Sequence, residues 1–291
     1  TQALLYDRLV HIASSVGSFD RSPMAYLHVY GNLHTLFAKL ITGIDQKYLA
    51  YPHATVDALQ AAQASQKMMP HLLPANIEIV EPEKLLSQDL PIKPQRLMAA
   101  LTEKCADNSR YFIDTGNAWS WATHYMHLPK ADAFYIAMGF GAMGWAIGAT
   151  VGAAFGNRQS PVVCITGDGS YLMSGQEITV AIEYQLPVIY VILNDQGYGM
   201  VRHGQRMNKA EEVGAELPPI NFAEMAQAMG VKGHRIECWE DFSDIDLTEF
   251  QSPSGPVLLD ILIDGEEIPP MKTRLDILKE AKHGIELAQL P

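Results

Sequence analysis

Residues 162–200 read VVCITGDGSYLMSGQEITVAIEYQLPVIYVILNDQGYGM, the most distinctive pattern in the chain. The segment begins with a run rich in β-branched residues at 162–166, followed by a GDGS turn at 167–170. A helical pattern follows at 175–184, and a second apolar run at 188–193 ends in an Asn-Asp pair. Parallel strands need a long crossover, usually a helix. The segment therefore predicts a strand–turn–helix–strand unit of a parallel sheet.

Two carboxylates follow the two predicted strands, Asp168 after the first and Asp195 after the second. Ligands of open α/β sheets bind just beyond such strand ends. Gly167 and Gly169 allow a sharp turn and a close approach of the backbone to a ligand. The helix start beyond Ser170 offers free N–H groups to a phosphate. GDG alone is also ordinary turn chemistry, but the paired carboxylates favour a magnesium-bridged diphosphate.

The same segment resembles the signature of thiamine diphosphate-dependent enzymes, a GDG turn followed farther along by an asparagine pair. It is closest in pattern to the acetolactate synthase branch, GDGS-F-x-M-x-x-QEL-x-T-A followed by LPV and N-N-Q-x-x-GM. The residues in register are 167–170, Met173, Gln176, Glu177, Thr179, 186–188, Gln196, Gly199 and Met200. The chain departs from the pattern at Asp195, where an aspartate adds one negative charge to a metal ligand.

The resemblance implies thiamine diphosphate and Mg²⁺ as cofactors, and it implies roles for particular residues. Asp168, Asp195 and the Gly197 carbonyl would bind the metal. Met143 and Met200 are the expected catalytic positions, with Met143 bending the cofactor and Met200 facing the substrate. The residues expected to bind the cofactor are Gly116, Asn117, Gly141, Met143, Gly167, Asp168, Gly169, Ser170, Met173, Asp195, Gly197, Tyr198, Gly199 and Met200.

Several of these positions have a plainer interpretation or depart from the family. Asn117 follows a second glycine turn and is also a plausible helix N-cap. Met143 lies between glycines, although a lone methionine more often fills a core. The family often has a histidine where Ala118 stands, and acetolactate synthases often have a tryptophan where Gly204 stands.

The composition is that of a globular protein, 48% hydrophobic and 19% charged over 291 residues. A formal net charge of −12 argues against a nucleic-acid or anionic-membrane surface. The three cysteines are far apart and form no CxxC motif. We therefore expect a reduced, intracellular and cytoplasmic protein.

Residues 133–157 carry no charge, and Gly144, Gly148, Gly152 and Gly156 recur four apart. Read alone, the segment fits a membrane span with a small-residue packing face. A core strand follows within five residues, which favours a buried helix that packs tightly through its glycine face. We therefore expect no membrane partner.

The first part of the chain predicts a partial α/β domain, the tail of a central domain, at 1–70. A strand at 25–30 precedes a helix capped by Asn32 and stopped at Gly43, and a second helix is expected at 55–69. A proline-rich linker follows at 71–91. The missing initiator methionine and the resemblance suggest the C-terminal portion of a longer polypeptide.

The diphosphate-binding domain is expected at 92–270, with a charged tail at 271–291. Pro94 fits the first turn of a helix, and Asn221 with Glu224 predicts a capping box. Strands near 111, 134, 162, 188, 233 and 257 predict a six-stranded, mainly parallel sheet with helices on both faces, as in the thiamine diphosphate-binding fold. Residues 202–217 are polar and predict either a mobile lid or a solvated loop.

The resemblance implies a 2-oxo acid substrate and decarboxylation or carboligation, as in acetolactate synthase. Alternatives are another decarboxylase of the benzoylformate or oxalyl-CoA type, or a binding module without turnover. A nicotinamide site is disfavoured because no GxGxxG turn follows a strand. The activating glutamate would come from the N-terminal pyrimidine-binding domain of a second subunit, in a homodimer or homotetramer. A flavin is compatible with the family, but nothing in this chain indicates one.

Overall fold

The computed structural model describes residues 10–16, 25–48, 79–128, 130, 132–137 and 139–270. The chain divides into two units, with residues 10–16 and 25–48 in the first and residues 79–270 in the second. The predicted helix at 55–69 and the charged tail at 271–291 lie outside the described residues. The described part of the predicted linker belongs to the second unit, where Ile79 and Leu85 pack against its core. The predicted domain boundaries remain predictions.

The first unit contains two parallel strands, β1 (Val10–Ala13) and β2 (Leu27–Tyr30), followed by helix α1 (Leu33–Tyr48). The Asn32 side chain accepts a hydrogen bond from the Thr35 N–H at 3.1 Å, which confirms the predicted cap. The predicted stop at Gly43 is wrong, because the helix continues for five more residues. Glycine costs a helix only about 1 kcal/mol relative to alanine and does not end it by itself.

The second unit is built on a six-stranded sheet in which every neighbouring pair is parallel. The strand order is β4-β3-β5-β6-β8-β7. The strands are β3 (Arg110–Ile113), β4 (Phe134–Ile136), β5 (Val162–Gly167), β6 (Val188–Asn194), β7 (Lys232–Ile236) and β8 (Val257–Leu262). All six predicted strands are therefore confirmed.

One helix precedes the sheet, and the others lie between its strands, because parallel neighbours must be joined by long crossovers. They are α2 (Pro94–Lys104), α3 (Asn117–Tyr125), α4 (Trp145–Gly156), α5 (Asp168–Ser174), α6 (Ile178–Glu183), α7 (Gly199–Met207), α8 (Phe222–Ala228), α9 (Trp239–Ser243) and α10 (Leu247–Gln251). Two 3₁₀ helices lie at Pro82–Leu86 and Gly175–Glu177. The single helix predicted at 175–184 is thus wrong, because helical structure begins at Asp168 and passes through the second 3₁₀ turn.

Helices cover both faces of the sheet, which is why the central strands read as continuous apolar runs. All seven residues of β6 are buried. Ile189 and Val191 belong to a core shared with α2, α3, α9 and α10, whereas Val188 and Tyr190 belong to one shared with α4 and α8. The predicted fold class, a parallel sheet with helices on both faces, is confirmed.

The apolar segment at 133–157 forms β4, a glycine-containing loop and α4, which has only 12 residues. Helix α4 packs on the sheet through Ala146, Ile147 and Ala154, each fully buried. Cβ atoms added at Gly148, Gly152 and Gly156 would meet nothing within 4 Å. The prediction of tight packing through the glycine face is therefore wrong among the described residues. Within those residues, the helices fall short of the length and hydrophobicity that a membrane crossing requires.

Candidate active site at the carboxyl edge of the sheet

A cavity of about 170 Å³ opens beyond the carboxyl ends of β3, β5 and β6. Parallel strands place all their carboxyl ends at one edge, so turns far apart in sequence meet there. The residues that line the cavity are Thr115, Gly116, Asn117, Ala118, Met143, Gly167, Asp168, Gly169, Ser170, Leu193, Asp195, Gly197, Tyr198, Gly199, Met200, Val201 and Ile263.

The structure brings together every predicted site residue except Gly141 and Met173. Met173 lies on α5 and is 52% exposed. Gly141 lies behind the cavity wall, where an added Cβ would stand 3.5 Å from the Thr115 hydroxyl oxygen. These two positions were placed in the site by sequence register alone, which fixes neither the direction of a helical side chain nor the path of a loop.

Asp168 joins the ends of the two central strands. Its carboxylate accepts hydrogen bonds from the Gly169 N–H at 2.6 Å and from the Gly197 N–H at 3.1 Å. The side chain is buried, with 2% exposed. Burial, followed by the nearby Asp195 charge, raises the pKa of Asp168 to about 7. A cation beside this carboxylate would stabilise its ionised form.

Asp195 is the second carboxylate of the cavity, and its side chain is 10% exposed. Burial raises its pKa to about 6, and the neighbouring Arg202 guanidinium opposes that rise. Arg202 Nη2 lies 3.2 Å from Asp195 Oδ2. The preceding residue has a different role, because Asn194 Nδ2 donates to Asp260 Oδ1 at 2.8 Å, inside the protein.

Arg202 and His203 contact the site residues Asp195 and Asn117 but were not themselves predicted. The cavity lining also adds five residues to the predicted set: Thr115, Ala118, Leu193, Val201 and Ile263. Arg202 and His203 lie on α7 and are buried, at 5% and 0% exposed. His203 bridges the Asn117 amide (3.4 Å from Nδ1 to Nδ2) and the Gly265 carbonyl (3.0 Å from Nε2). The signal for Arg202 was present: a second carboxylate at a metal site needs a compensating charge, and Arg202 stands only seven residues after Asp195 in the sequence.

The predicted lid or solvated loop at 202–217 is wrong in its first and last parts. Residues 202–207 belong to α7. At the other end, the Tyr198 N–H donates to the Ala215 carbonyl at 2.7 Å and the Leu217 N–H donates to the Gln196 carbonyl at 2.9 Å. These bonds fix residues 215–217 against the turn that carries Gly197.

The turn at the end of β3 places Asn117 in the cavity. Gly116 has φ 104°, a conformation that favours glycine, and it is the N-cap residue of α3. Asn117 is the first residue of that helix, so its interpretation as the N-cap is wrong. Its Oδ1 is buried without a hydrogen-bond partner among the described residues. A buried polar atom of this kind is available to a ligand.

The loop that carries Met143 is held in place by the buried carboxylate of Asp114. Asp114, at the end of β3, accepts hydrogen bonds from the Gly144 N–H (2.8 Å) and the Thr166 hydroxyl (2.9 Å). Gly144 has φ 83°. The loop is thereby fixed to two strands, and Met143 reaches the cavity with 38% of its surface exposed.

The two glycines of the GDG turn are required for different reasons. A Cβ at Gly167 would meet nothing within 4 Å, so this glycine leaves backbone open at the cavity. A Cβ at Gly169 would overlap the ring of Tyr198. Close approach to a ligand therefore explains Gly167, whereas packing of the Tyr198 ring explains Gly169.

The donor set fits a hard divalent cation. The described residues contain no group of three or more His, Cys, Asp and Glu side chains that could hold a metal. Magnesium needs fewer, because it takes oxygen ligands, is held by one or two carboxylates and completes its shell with phosphate oxygens and water. Two neighbouring carboxylates with raised pKa values, Asp168 and Asp195, meet that requirement.

A parallel sheet whose glycine turns and paired carboxylates surround a cavity at the carboxyl edge defines an α/β domain for a phosphorylated cofactor. Comparison with known families agrees with this class. Residues 114–261, just over half of the 291 residues, match the C-terminal TPP binding domain of thiamine pyrophosphate enzymes. The chain belongs to the thiamine pyrophosphate enzyme family.

Two relatives illustrate the similarity in sequence. The acetolactate synthase large subunit of Pyropia yezoensis is 24% identical over 284 residues, which cover 94% of this chain and 45% of that protein. A probable acetolactate synthase large subunit of Methanocaldococcus jannaschii is 33% identical over 192 residues, 63% of this chain and 32% of that protein. This chain therefore spans less than half the length of either relative.

The structure of a Rhodococcus jostii RHA1 thiamine diphosphate-dependent 4-hydroxybenzoylformate decarboxylase superposes with a TM-score of 0.68 at 22% identity. The alignment covers 88% of this chain and 44% of that one. At this level of identity, the likeness supports the fold alone.

Proposed function

We propose that this chain supplies the diphosphate- and magnesium-binding half of an acetolactate synthase-like enzyme that decarboxylates a 2-oxo acid and joins it to a second one. The observation that carries the proposal is the pair of neighbouring carboxylates beside an open glycine backbone in a thiamine pyrophosphate family domain. Asp168 is 2% exposed, and the side chain of Asp195 is 10% exposed. The acetolactate synthase relatives support the choice of reaction.

The metal would be held by Asp168, Asp195 and the Gly197 carbonyl. The Tyr198 N–H, which belongs to the same peptide group as this carbonyl, donates to the Ala215 carbonyl at 2.7 Å, so that peptide is fixed in place before any cation arrives. Gly116, Asn117, Gly167 and Ser170 would contact the diphosphate. When bound, thiamine diphosphate supplies the electron sink for breaking the carbon–carbon bond of the 2-oxo acid.

The apolar part of the cavity would position the rest of the cofactor and the substrate. Met143 stands on the loop that Asp114 fixes, and it would support the bend of the cofactor. Met200, on the first turn of α7, would face the substrate. With the cofactor and substrate bound, both side chains would help to exclude water from the reacting carbon, which would favour loss of carbon dioxide over side reactions with water.

Activity would require a group from outside this chain. In the resembling enzymes a glutamate of the pyrimidine-binding domain activates the cofactor, and the described residues of this chain form no such domain. We therefore propose that the cavity faces the pyrimidine-binding domain of a second subunit in a homo-oligomer. The chain would bind the cofactor's diphosphate and leave its activation to the partner.

One observation favours a second reaction. Acetolactate synthases often have a tryptophan at the position of Gly204, and here a Cβ at Gly204 would meet nothing within 4 Å among the described residues. The absence of that tryptophan weakens the assignment to acetolactate synthase, and a decarboxylase of the benzoylformate type is the second candidate. Incubating the active oligomer with pyruvate and with benzoylformate separates the two: acetolactate formation supports the first proposal, and benzaldehyde formation without acetolactate supports the second.

Cofactor binding is tested by calorimetry on the full chain with thiamine diphosphate and Mg²⁺. We expect Asp168→Asn to weaken binding at least about 100-fold, because it removes a charged metal ligand from a buried site. Asp107→Asn is the matched control, since Asp107 is exposed at the start of β3. Unchanged affinity in Asp168→Asn, or no binding by the wild type, would refute the proposed site.

A further inference from the structure

Arg202 is a buried cation inside a site that is itself built for a cation. Its guanidinium contacts Asp195 Oδ2 at 3.2 Å and the Gly265 carbonyl at 3.1 Å, both through Nη2. The side chain is 5% exposed. A buried arginine this close to a metal-binding carboxylate would oppose a second cation unless it has a specific function there.

Two glycines make room for the guanidinium. A Cβ at Gly265 would lie 2.5 Å from Arg202 Nη2, and a Cβ at Gly197 would lie 3.2 Å from Nη1. Glycine at these two positions therefore lets the planar group lie against backbone on both sides. This packing fixes the arginine by its surroundings, in contrast to a flexible surface ion pair.

The turn that carries Gly265 is itself anchored. Lys93 Nζ lies 2.6 Å from Asp264 and 2.8 Å from Glu267, and Lys84 Nζ lies 2.7 Å from Glu267. The Gly265 carbonyl also accepts a hydrogen bond from His203 Nε2 at 3.0 Å. Arg202 is thus held between a fixed carbonyl and the carboxylate of Asp195.

The charges explain why the arginine belongs there. Asp168 and Asp195 together carry −2 when ionised, whereas the family pattern, with asparagine at the second position, carries −1. Adding Arg202 returns the sum to −1. The second acidic contact of Arg202, Glu216 at 3.4 Å from Nη1, has a side chain that is 73% exposed and is screened by water.

We propose that Arg202 is a positioning residue that forms one unit with Asp195. The pair takes the place of a neutral amide ligand: Arg202 holds Oδ2 and compensates the extra charge, and Oδ1 is left as the oxygen for the cation. The inference rests on the proposed function, because it assumes that the cation is the one bound with thiamine diphosphate.

The test is a double-mutant cycle on the full chain, with wild type, Asp195→Asn, Arg202→Met and the double variant. The measurement is the dissociation constant of Mn²⁺ in the presence of thiamine diphosphate, by electron paramagnetic resonance. Asp195→Asn leaves an unpaired buried arginine beside the cation, so we expect binding at least about tenfold weaker. The double variant removes that repulsion, and we expect it to recover most of the loss.

Recovery of this kind is not expected of a residue that only packs, because a second truncation would add to the first. A double variant that binds Mn²⁺ no better than Asp195→Asn overturns the inference, and so does an Asp195→Asn variant with wild-type affinity. If Arg202→Met does not fold, Arg202→Gln takes its place in the cycle, and the Asp195→Asn/Arg202→Gln double variant should recover most of the affinity that Asp195→Asn loses. A double variant of this kind that binds Mn²⁺ no better than Asp195→Asn overturns the inference.

Thermal unfolding without ligands separates this inference from the proposed function. Asp195→Asn and Arg202→Met each leave one buried charge unpaired, so both should melt several degrees below the wild type, and the double variant should melt above either. If the wild type binds no thiamine diphosphate but this pattern of melting is seen, the proposed function fails and the pairing stands. If cofactor binding is normal and this pattern of melting is missing, the inference about Arg202 and Asp195 fails and the proposed function stands.

Discussion

Replacing Asp114 by alanine is expected to destabilise the second unit strongly, although Asp114 makes no contact with a cation. Its carboxylate is 1% exposed and accepts hydrogen bonds from the Gly144 N–H (2.8 Å), the Thr166 hydroxyl (2.9 Å) and the Ala146 N–H (3.4 Å). Two of these donors lie at the N-terminus of α4, where the helix dipole favours a negative charge. The substitution would leave buried donors without an acceptor.

The size of the effect follows from the contacts. A hydrogen bond to a charged acceptor contributes about 1.5–3 kcal/mol, so the two short ones from Gly144 and Thr166 contribute about 3–6 kcal/mol in total. Burying the carboxylate offsets part of this contribution. We therefore expect Asp114→Ala to lower the free energy of unfolding by about 3 kcal/mol. Asp114→Asn keeps an acceptor and loses the charge, so it should cost about 1–2 kcal/mol.

Urea unfolding followed by tryptophan fluorescence measures this loss. All four tryptophans, at 119, 121, 145 and 239, lie in the second unit, so the signal reports on it directly. Asp107→Ala, at an exposed aspartate three residues before β3, is the control and should change stability by less than about 0.5 kcal/mol. A loss below about 1 kcal/mol for Asp114→Ala would refute the view that this carboxylate holds the Met143 loop.

Two further outcomes follow from buried groups. Although burial alone would raise it, hydrogen bonds from Lys84 and Lys93 hold the pKa of Glu267 at about 2. Its folded pKa is thus depressed, so its stabilising effect is present above about pH 4.5 and lost as pH falls toward 2. Unfolding free energies measured across that range should fall about 2 kcal/mol less in Glu267→Gln than in the wild type. The Tyr190 hydroxyl is buried without a hydrogen-bond partner among the described residues. Because Tyr190→Phe removes this unsatisfied group, it should raise the free energy of unfolding by about 1 kcal/mol, seen as a higher urea midpoint.

The sheet could be predicted from sequence because its strands are short apolar runs that end in turn residues. The run 188–193 and the Gly-Pro pair before 257 each predict a strand, and both are observed. The helices between them were harder. The glycines at 148, 152 and 156 suggested a packing face, yet α4 buries its alanine and β-branched side. Sequence periodicity identifies the small-residue side of a helix but does not determine which side meets the sheet.

The site could be predicted where strand ends carry it and not where other elements supply it. The GDG turn and the Asn-Asp pair were placed correctly because parallel strands end together. Arg202 was assigned to a polar loop because helix α7 is short and contains Gly204 and two further polar residues in its last turn. Asp114 looked like the last residue of a strand. Its importance comes from a loop 30 residues later, a distance that no local pattern spans.

The Asn-Asp pair shows how the strand period divides two adjacent polar residues between stability and chemistry. Side chains alternate along a strand, so neighbours at its end point in opposite directions. Asn194 turns inward, where Nδ2 donates to Asp260 at 2.8 Å and to the Ile220 carbonyl at 3.2 Å. Asp195 turns to the cavity and pairs with Arg202. A shift of one residue in β6 would exchange these directions. The buried contact of Asn194 with Asp260 opposes that shift. Asn194 does not reach the cavity itself, but its contact keeps the side chain of Asp195 directed into the cavity.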